Sequence, residues 1–167
     1  MNRNAVYAVS AILCIVGMSA AAKPTLCQAD EDVLFSCNAS KKLISVCASK
    51  ELEADRGYLQ YRFGSPGKVE LAIPSDKSTP PANSASSGTM MFSGGGGAYL
   101  RFTAGDFNYA VYTAIGKGWG EKDGVAIEHG GKRIAHVSCT DEPVSKLGDE
   151  LFKKAGLKPE DTDFDLP

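Results

Sequence analysis

An excess of basic residues is missing from this sequence. Its 18 Lys and Arg stand against 20 Asp and Glu, for a formal charge of −2. Nucleic-acid binders usually carry a basic patch, so this balance argues against one. Histidine is nearly absent, with His129 and His136 the two in 167 residues. No G-x-S-x-G, H-E-x-x-H or Cys–His pattern accompanies them, so the sequence offers no familiar catalytic constellation and reads as a non-enzyme. No C-x-x-C or Cys/His spacing calls for a metal, and no cofactor is expected. A long apolar run is missing too. The one over residues 5–18 (AVYAVSAILCIVGM) falls short of the roughly 20 residues a membrane span needs.

What that run does fit is a secretory signal. Arg3 precedes it and the small residues Ser19-Ala20-Ala21-Ala22 follow it, which is the order of a signal peptide over residues 1–22. Cleavage is expected after Ala22, with Ala29 the alternative. The protein is therefore expected in the periplasm or secreted, where cysteines pair by default. Cys14 leaves with the signal, and Cys27, Cys37, Cys47 and Cys139 remain. The stretch around VLFSC-NASKK-LISVCAS reads as a hairpin turning near Ser40. Side chains alternate along strands, so Val33, Phe35 and Cys37 share a face with Ile44 and Val46, and Cys47 faces the other way. A Cys37–Cys47 bridge would need a shifted register. Cys37 is thus expected to bridge to Cys139, with Cys47 pairing with Cys27 or staying free.

The rest of the chain is a succession of short alternating runs and turns. YLQYRF and VELAI flank GSPGK, and opposing Phe63 with Val69 makes one face apolar and sets Arg62 against Glu70. AYLRFT and NYAVYTA meet across a Gly-Asp turn, opposing Phe102 with Tyr109 and Leu100 with Val111. GVAIE and KRIAHVSC meet across Gly130-Gly131, opposing Glu128 with Arg133. Residues 74–87 are rich in Pro and Ser and read as a long surface loop. The fold expected for residues 23–140 is all-β: an antiparallel β-barrel or closed sandwich of about eight short strands. In residues 141–167, Val144, Leu147, Leu151 and Ala155 recur at helical spacing. They predict a short C-terminal helix capped near Gly156. The tail KPEDTDFDLP reads as acidic and frayed. Its alternating Asp161, Asp163 and Asp165 lack the loop Gly and following Glu of an EF-hand.

The remaining feature is MFSGGGGAYLRF, four glycines between two strand-like runs. Phosphate cradles lead from a strand into a helix, and this run leads into a strand. It is either a slack connection or a backbone that must approach something closely.

Several of these segments together resemble the membrane-bound and periplasmic inhibitors of c-type lysozyme. Phe35-Ser36-Cys37 resembles that family's first strand, and Ser93-Gly94 through Tyr99 its central loop. Tyr109-Ala110-Val111-Tyr112 and Gly116-Lys117-Gly118 resemble a later strand and its Lys-Gly turn, and Ile134 to Cys139 the closing strand. The sequence departs from the family in its longer Ser–Tyr spacing, its Pro/Ser stretch, Cys47 and its C-terminal helix. The resemblance implies an exported inhibitor that inserts the loop into a hydrolase cleft. Ser93 would bond a catalytic carboxyl, Gly94, Gly95, Gly96 and Gly97 would let the backbone enter, Tyr99 would brace the loop or touch the enzyme, and Lys117 would pair with an acid. The readings beside it are an envelope interaction module or immunity protein with another protein partner, and a small hydrolase built on two carboxylates.

Overall fold

The computed structural model describes residues 23–160 and 164–167; the expected signal peptide lies outside them, as do Asp161 and Asp163. Two antiparallel hairpin systems make up the chain. β1 (Glu31–Ala39), β2 (Lys42–Ser49), β3 (Leu59–Ser65) and β4 (Lys68–Ile73) come first. After a one-turn helix, α1 (Pro81–Ser84), come β5 (Ser86–Phe92), β6 (Gly95–Ala104), β7 (Phe107–Gly116), β8 (Gly120–His129) and β9 (Lys132–Ser138). β10 (Val144–Ser145), α2 (Asp149–Lys154) and β11 (Lys158–Pro159) follow. The strands form a five-stranded sheet, β10-β1-β2-β3-β4, and a six-stranded sheet, β11-β5-β6-β7-β8-β9. The architecture is thus a two-sheet sandwich, not a closed barrel.

Period-2 alternation explains the core. Phe35, Ile44, Val46, Leu59 and Tyr61 from the first sheet meet Leu100, Phe102, Val111 and Val125 from the second. The Tyr61 ring lies 5.9 Å from Phe102 and 5.6 Å from Tyr109. Leu151 and Phe152 of α2, with Ala155 just beyond it, close one flank of this core. Two disulfides lie among the described residues, Cys37–Cys139 and Cys27–Cys47, and such bonds fit an oxidising compartment.

The hairpins that turn on Gly-Asp and Gly-Gly have the expected registers: Leu100 opposite Val111, Phe102 opposite Tyr109, and Glu128 opposite Arg133. Elsewhere bulges intervene. In β1 the register shifts between Val33 and Phe35. Val33 therefore pairs with Cys47, and Leu34 joins the core in its place. The β3–β4 turn sets Gly64 opposite Val69, and a further shift falls between Phe63 and Gly64, so Phe63 opposes Leu71 rather than Val69. A Cβ on Gly64 would lie 2.1 Å from the Lys68 carbonyl oxygen, which is why glycine sits at this bulge. Arg62 then opposes Ala72, not Glu70, and Glu70 is held instead by Lys42 at 2.6 Å.

Arg62 is spent on the outer face of the first sheet. Its guanidinium forks onto buried Glu31 at 2.6 and 2.7 Å and donates to the Leu26 carbonyl at 2.9 Å. Burial raises the Glu31 pKa, but hydrogen bonds from Arg62, Tyr58, the Gln28 amide and Lys77 outweigh it and hold the carboxyl well below its ordinary range.

The Pro/Ser stretch is less slack than expected, since it contains α1 and the start of β5. The C-terminal helix is shorter than expected. Val144 and Ser145 pair with Ser36 and Phe35 as strand, and the helix begins only at Asp149. Gly156, at φ +62°, follows it in the left-handed conformation that ends helices. The tail is not frayed where it is described. Lys158 and Pro159 pair in parallel with β5, and Phe164 is buried against Tyr99 and Tyr112 at 4.8 and 5.7 Å. Arg133 holds Asp165, and Lys122 donates to the Pro167 carbonyl at 2.6 Å.

Candidate functional site

The glycine run divides between a turn and a strand. Ser93 and Gly94 make the turn, with Gly94 at φ +77°. Gly95, Gly96 and Gly97 belong to β6, paired on one side with Phe92, Met91 and Met90. The expected five-residue loop is therefore a two-residue tip on a glycine-rich strand. Close backbone approach accounts for this composition: a Cβ on Gly95 would lie 2.0 Å from the Ile115 carbonyl oxygen, and one on Gly97 would lie 2.6 Å from that of Thr113.

Lys117 stands beside this turn although 23 positions separate it from Gly94. The Lys117 amide donates to the Gly94 carbonyl at 3.2 Å, so the β5–β6 and β7–β8 turns form one double tip. On one side of it the Phe92 and Trp119 rings meet edge to face at 5.6 Å. A Cβ on Gly116 would fall 2.2 Å from the Trp119 ring, which lies flat over that glycine. On the other side Met91 and Ile115 are 93% and 55% exposed. Ser93, Gly94, Lys117, Met91, Ile115 and Trp119 thus share one protruding end, where apolar rings and alkyl groups stand in solvent beside a hydroxyl and an ammonium. Such a mixture suits contact with another protein.

No family model matches the chain, and the comparisons with curated proteins and with solved structures return no match.

Tyr99 lies away from the double tip. It is 2% exposed, under Phe164, and its hydroxyl donates to Glu160 at 3.0 Å. Burial, and then the Glu160 hydrogen bond, push its pKa up to about 12. Its place is in the outer layer of the second sheet, where Gly88 leaves room for its ring. The tip residues that sequence reasoning missed are Met91, Phe92, Ile115 and Trp119. One signal was available for the last: the chain has a single tryptophan, set in the glycine-rich turn GKGWG rather than in a strand.

Next to the double tip, a trough of about 460 Å³ opens between the inner face of the second sheet and the segment leading into α2. Gly96, Ala98 and Thr113 contribute to its floor, and Glu121, Asp123, Glu142 and Asp149 are among its lining residues. Asp123 accepts from the Thr113 hydroxyl at 2.6 Å. Burial raises the Asp123 pKa, the Thr113 bond lowers it, and the Glu121 charge adds to the rise.

Two other clusters are already committed. Cys27, Cys47 and Glu31 lie together, but the sulfurs are joined to each other and the carboxylate is held by Arg62. His129 packs against Phe107 with the rings tilted and 4.5 Å apart at a hairpin end, and His136 faces solvent on β9, opposite Ala126.

Proposed function

We propose that this chain is an exported, non-catalytic inhibitor that binds a lysozyme-type cell-wall hydrolase through its double tip. The observation that carries the reading is the junction of Lys117 with the Ser93–Gly94 turn, which assembles a hydroxyl, an ammonium and exposed apolar groups on one projecting edge. The turn enters the enzyme cleft, Ser93 bonds a catalytic carboxyl and Lys117 pairs with an acid. Gly95, Gly96 and Gly97 keep the entering strand thin, and Tyr99 braces that strand from beneath the tail rather than touching the enzyme.

Lysis assays with c-, g- and i-type lysozymes test this directly. Inhibition is expected at micromolar protein, weakened at least tenfold by Ser93→Ala and by Lys117→Ala with unchanged melting temperatures. No inhibition of any of the three would refute the lysozyme version.

One observation favours a second reading. Met91, Ile115 and Trp119 stand exposed beside the tip, and such apolar groups suit protein surfaces other than a hydrolase cleft, which leaves an envelope module or immunity protein with another partner. Pull-down from envelope extract with the wild-type chain, against Ser93→Ala/Lys117→Ala, separates the two by the protein retained. The hydrolase reading rests on the trough carboxylates, and the same assay without added lysozyme tests it.

A further inference from the structure

The second sheet outruns the core at its double-tip end. The inward row Ser87, Leu100, Val111 and Val125 is buried throughout. The next inward row is Thr89, Ala98, Thr113 and Asp123, and there only Ala98 remains buried. The row beyond is Met91, Gly96, Ile115 and Glu121, all exposed or half-exposed. Strands lie about 4.8 Å apart, so Met91 and Ile115 flank Gly96 as two walls roughly 10 Å apart with a bare floor between them. Leu147 and Pro143 face this overhang from across the trough.

The charge around the overhang is one-sided. Glu121, Asp123, Glu142 and Asp149 line the trough, and no Lys, Arg or His is among its lining residues. Lys23 already sits beside Glu142, its ammonium donating to the Glu142 carbonyl at 2.7 Å and lying 3.7 Å from the carboxylate, both side chains being solvated, and Lys117 stands on the neighbouring tip. The narrow apolar floor accepts an alkyl stem, and the carboxylates at its margins accept a cationic head. Lysine and arginine side chains have that form, with a methylene stem that lies along apolar surface and a head that stays polar.

We propose that this trough docks a lysine or arginine side chain presented by the protein partner, with the stem over Gly96 between Met91 and Ile115 and the head among Glu121, Asp123 and Glu142. The inference rests on the double-tip reading for the partner being a protein, and it adds that this partner carries a cation beside the cleft that the tip enters. Opposite charges across the contact also speed encounter, and salt weakens them.

The experiment uses the mature chain, isotope-labelled, titrated with acetyl-Gly-Arg-Gly-amide and with the same peptide carrying citrulline. Saturable amide shifts at Gly96, Gly97 and Ile115 are expected with the arginine peptide. The citrulline peptide, and the Glu121→Gln/Glu142→Gln variant with arginine, should bind about tenfold more weakly, the loss expected for removing a charge-assisted hydrogen bond. Equal response to arginine and citrulline, or shifts spread over all surface carboxylates, would overturn the proposal. So would a concentration-dependent dimer that buries the trough, because its occupant would then be a second copy. The lysis assay separates the two readings. Inhibition lost with Ser93→Ala but untouched by Glu121→Gln/Glu142→Gln keeps the inhibitor and removes the trough. Saturable arginine binding without inhibition of any lysozyme keeps the trough and removes the lysozyme.

Discussion

Arg62 and Glu31 show how a single pair can organise the outer face of a sheet. Both side chains are almost wholly withdrawn from water, at 4% and 0% exposure. A buried pair gains little over an apolar substitute, but removing one partner leaves an uncompensated charge. Arg62→Ala should therefore cost about 3–5 kcal/mol in chemical denaturation, whereas Arg62→Met with Glu31→Gln should recover much of the loss. The pair also sets an acid limit. The folded pKa of Glu31 lies below its ordinary value of 4.5, so its stabilisation is complete above that pH and fades as pH falls toward the folded value. Melting temperature measured against pH should drop below pH 4.5 in the wild-type chain and fall less steeply in the double variant. Simple alternation matched Arg62 with Glu70 because it cannot see a bulge. One extra residue at Glu70 moves every later pairing, and Gly64, an isolated glycine inside a strand, is the mark of it in the sequence.

At the scale of elements, the hairpins with strong turn chemistry were legible. Gly105-Asp106 and Gly130-Gly131 specify tight turns, and the alternation beside them leaves one register with an apolar inner face. The glycine run was legible as special but not as strand, because glycine has weak strand preference, although the register of the Gly105-Asp106 hairpin, carried on, sets Gly96 opposite Ile115. The double tip was not legible, being a meeting of two turns far apart in sequence. The helix was overestimated at its start. Val144 fits a helical period, yet the edge of β1 offers it backbone partners, and tertiary pairing wins over a weak local preference.

The tail was the larger miss. Phe164 in TDFDLP looks like a lone aromatic in an acidic tail, but it finds Tyr99 and Tyr112 on an outer sheet face that glycine and alanine leave open. Phe164→Ala should cost about 3 kcal/mol, at the low end for a buried phenylalanine, and should alter the near-ultraviolet circular dichroism of the tyrosines. An unchanged spectrum and melting curve would mean that the tail contributes no packing.

For the molecule as a whole, the two disulfides act at different ranges. Cys27–Cys47 spans 20 residues and ties the leading segment to its own sheet. Cys37–Cys139 spans 102 residues and ties β1 to the chain just beyond β9, across the two sheets. In the chain-entropy view the longer closure constrains the unfolded chain more, by about 4.7 against about 3 kcal/mol. Replacing Cys37 and Cys139 with Ala should accordingly lower denaturant stability more than replacing Cys27 and Cys47. The reverse order would point to native-state packing around Cys47 as the larger contribution.

Among the described residues the pairing is also interlaced, first cysteine with third and second with fourth. In the unfolded chain the shortest loops join Cys27 to Cys37 and Cys37 to Cys47, and neither is native, so random oxidation makes bonds that must later be undone. Bond exchange is slow without a catalyst. Oxidative refolding of the reduced chain should therefore pass through species joining Cys37 to Cys27 or to Cys47, and a disulfide isomerase should speed their conversion while a simple oxidant should not. Reaching this pairing from the reduced chain then calls for a shuffling step as well as an oxidising one.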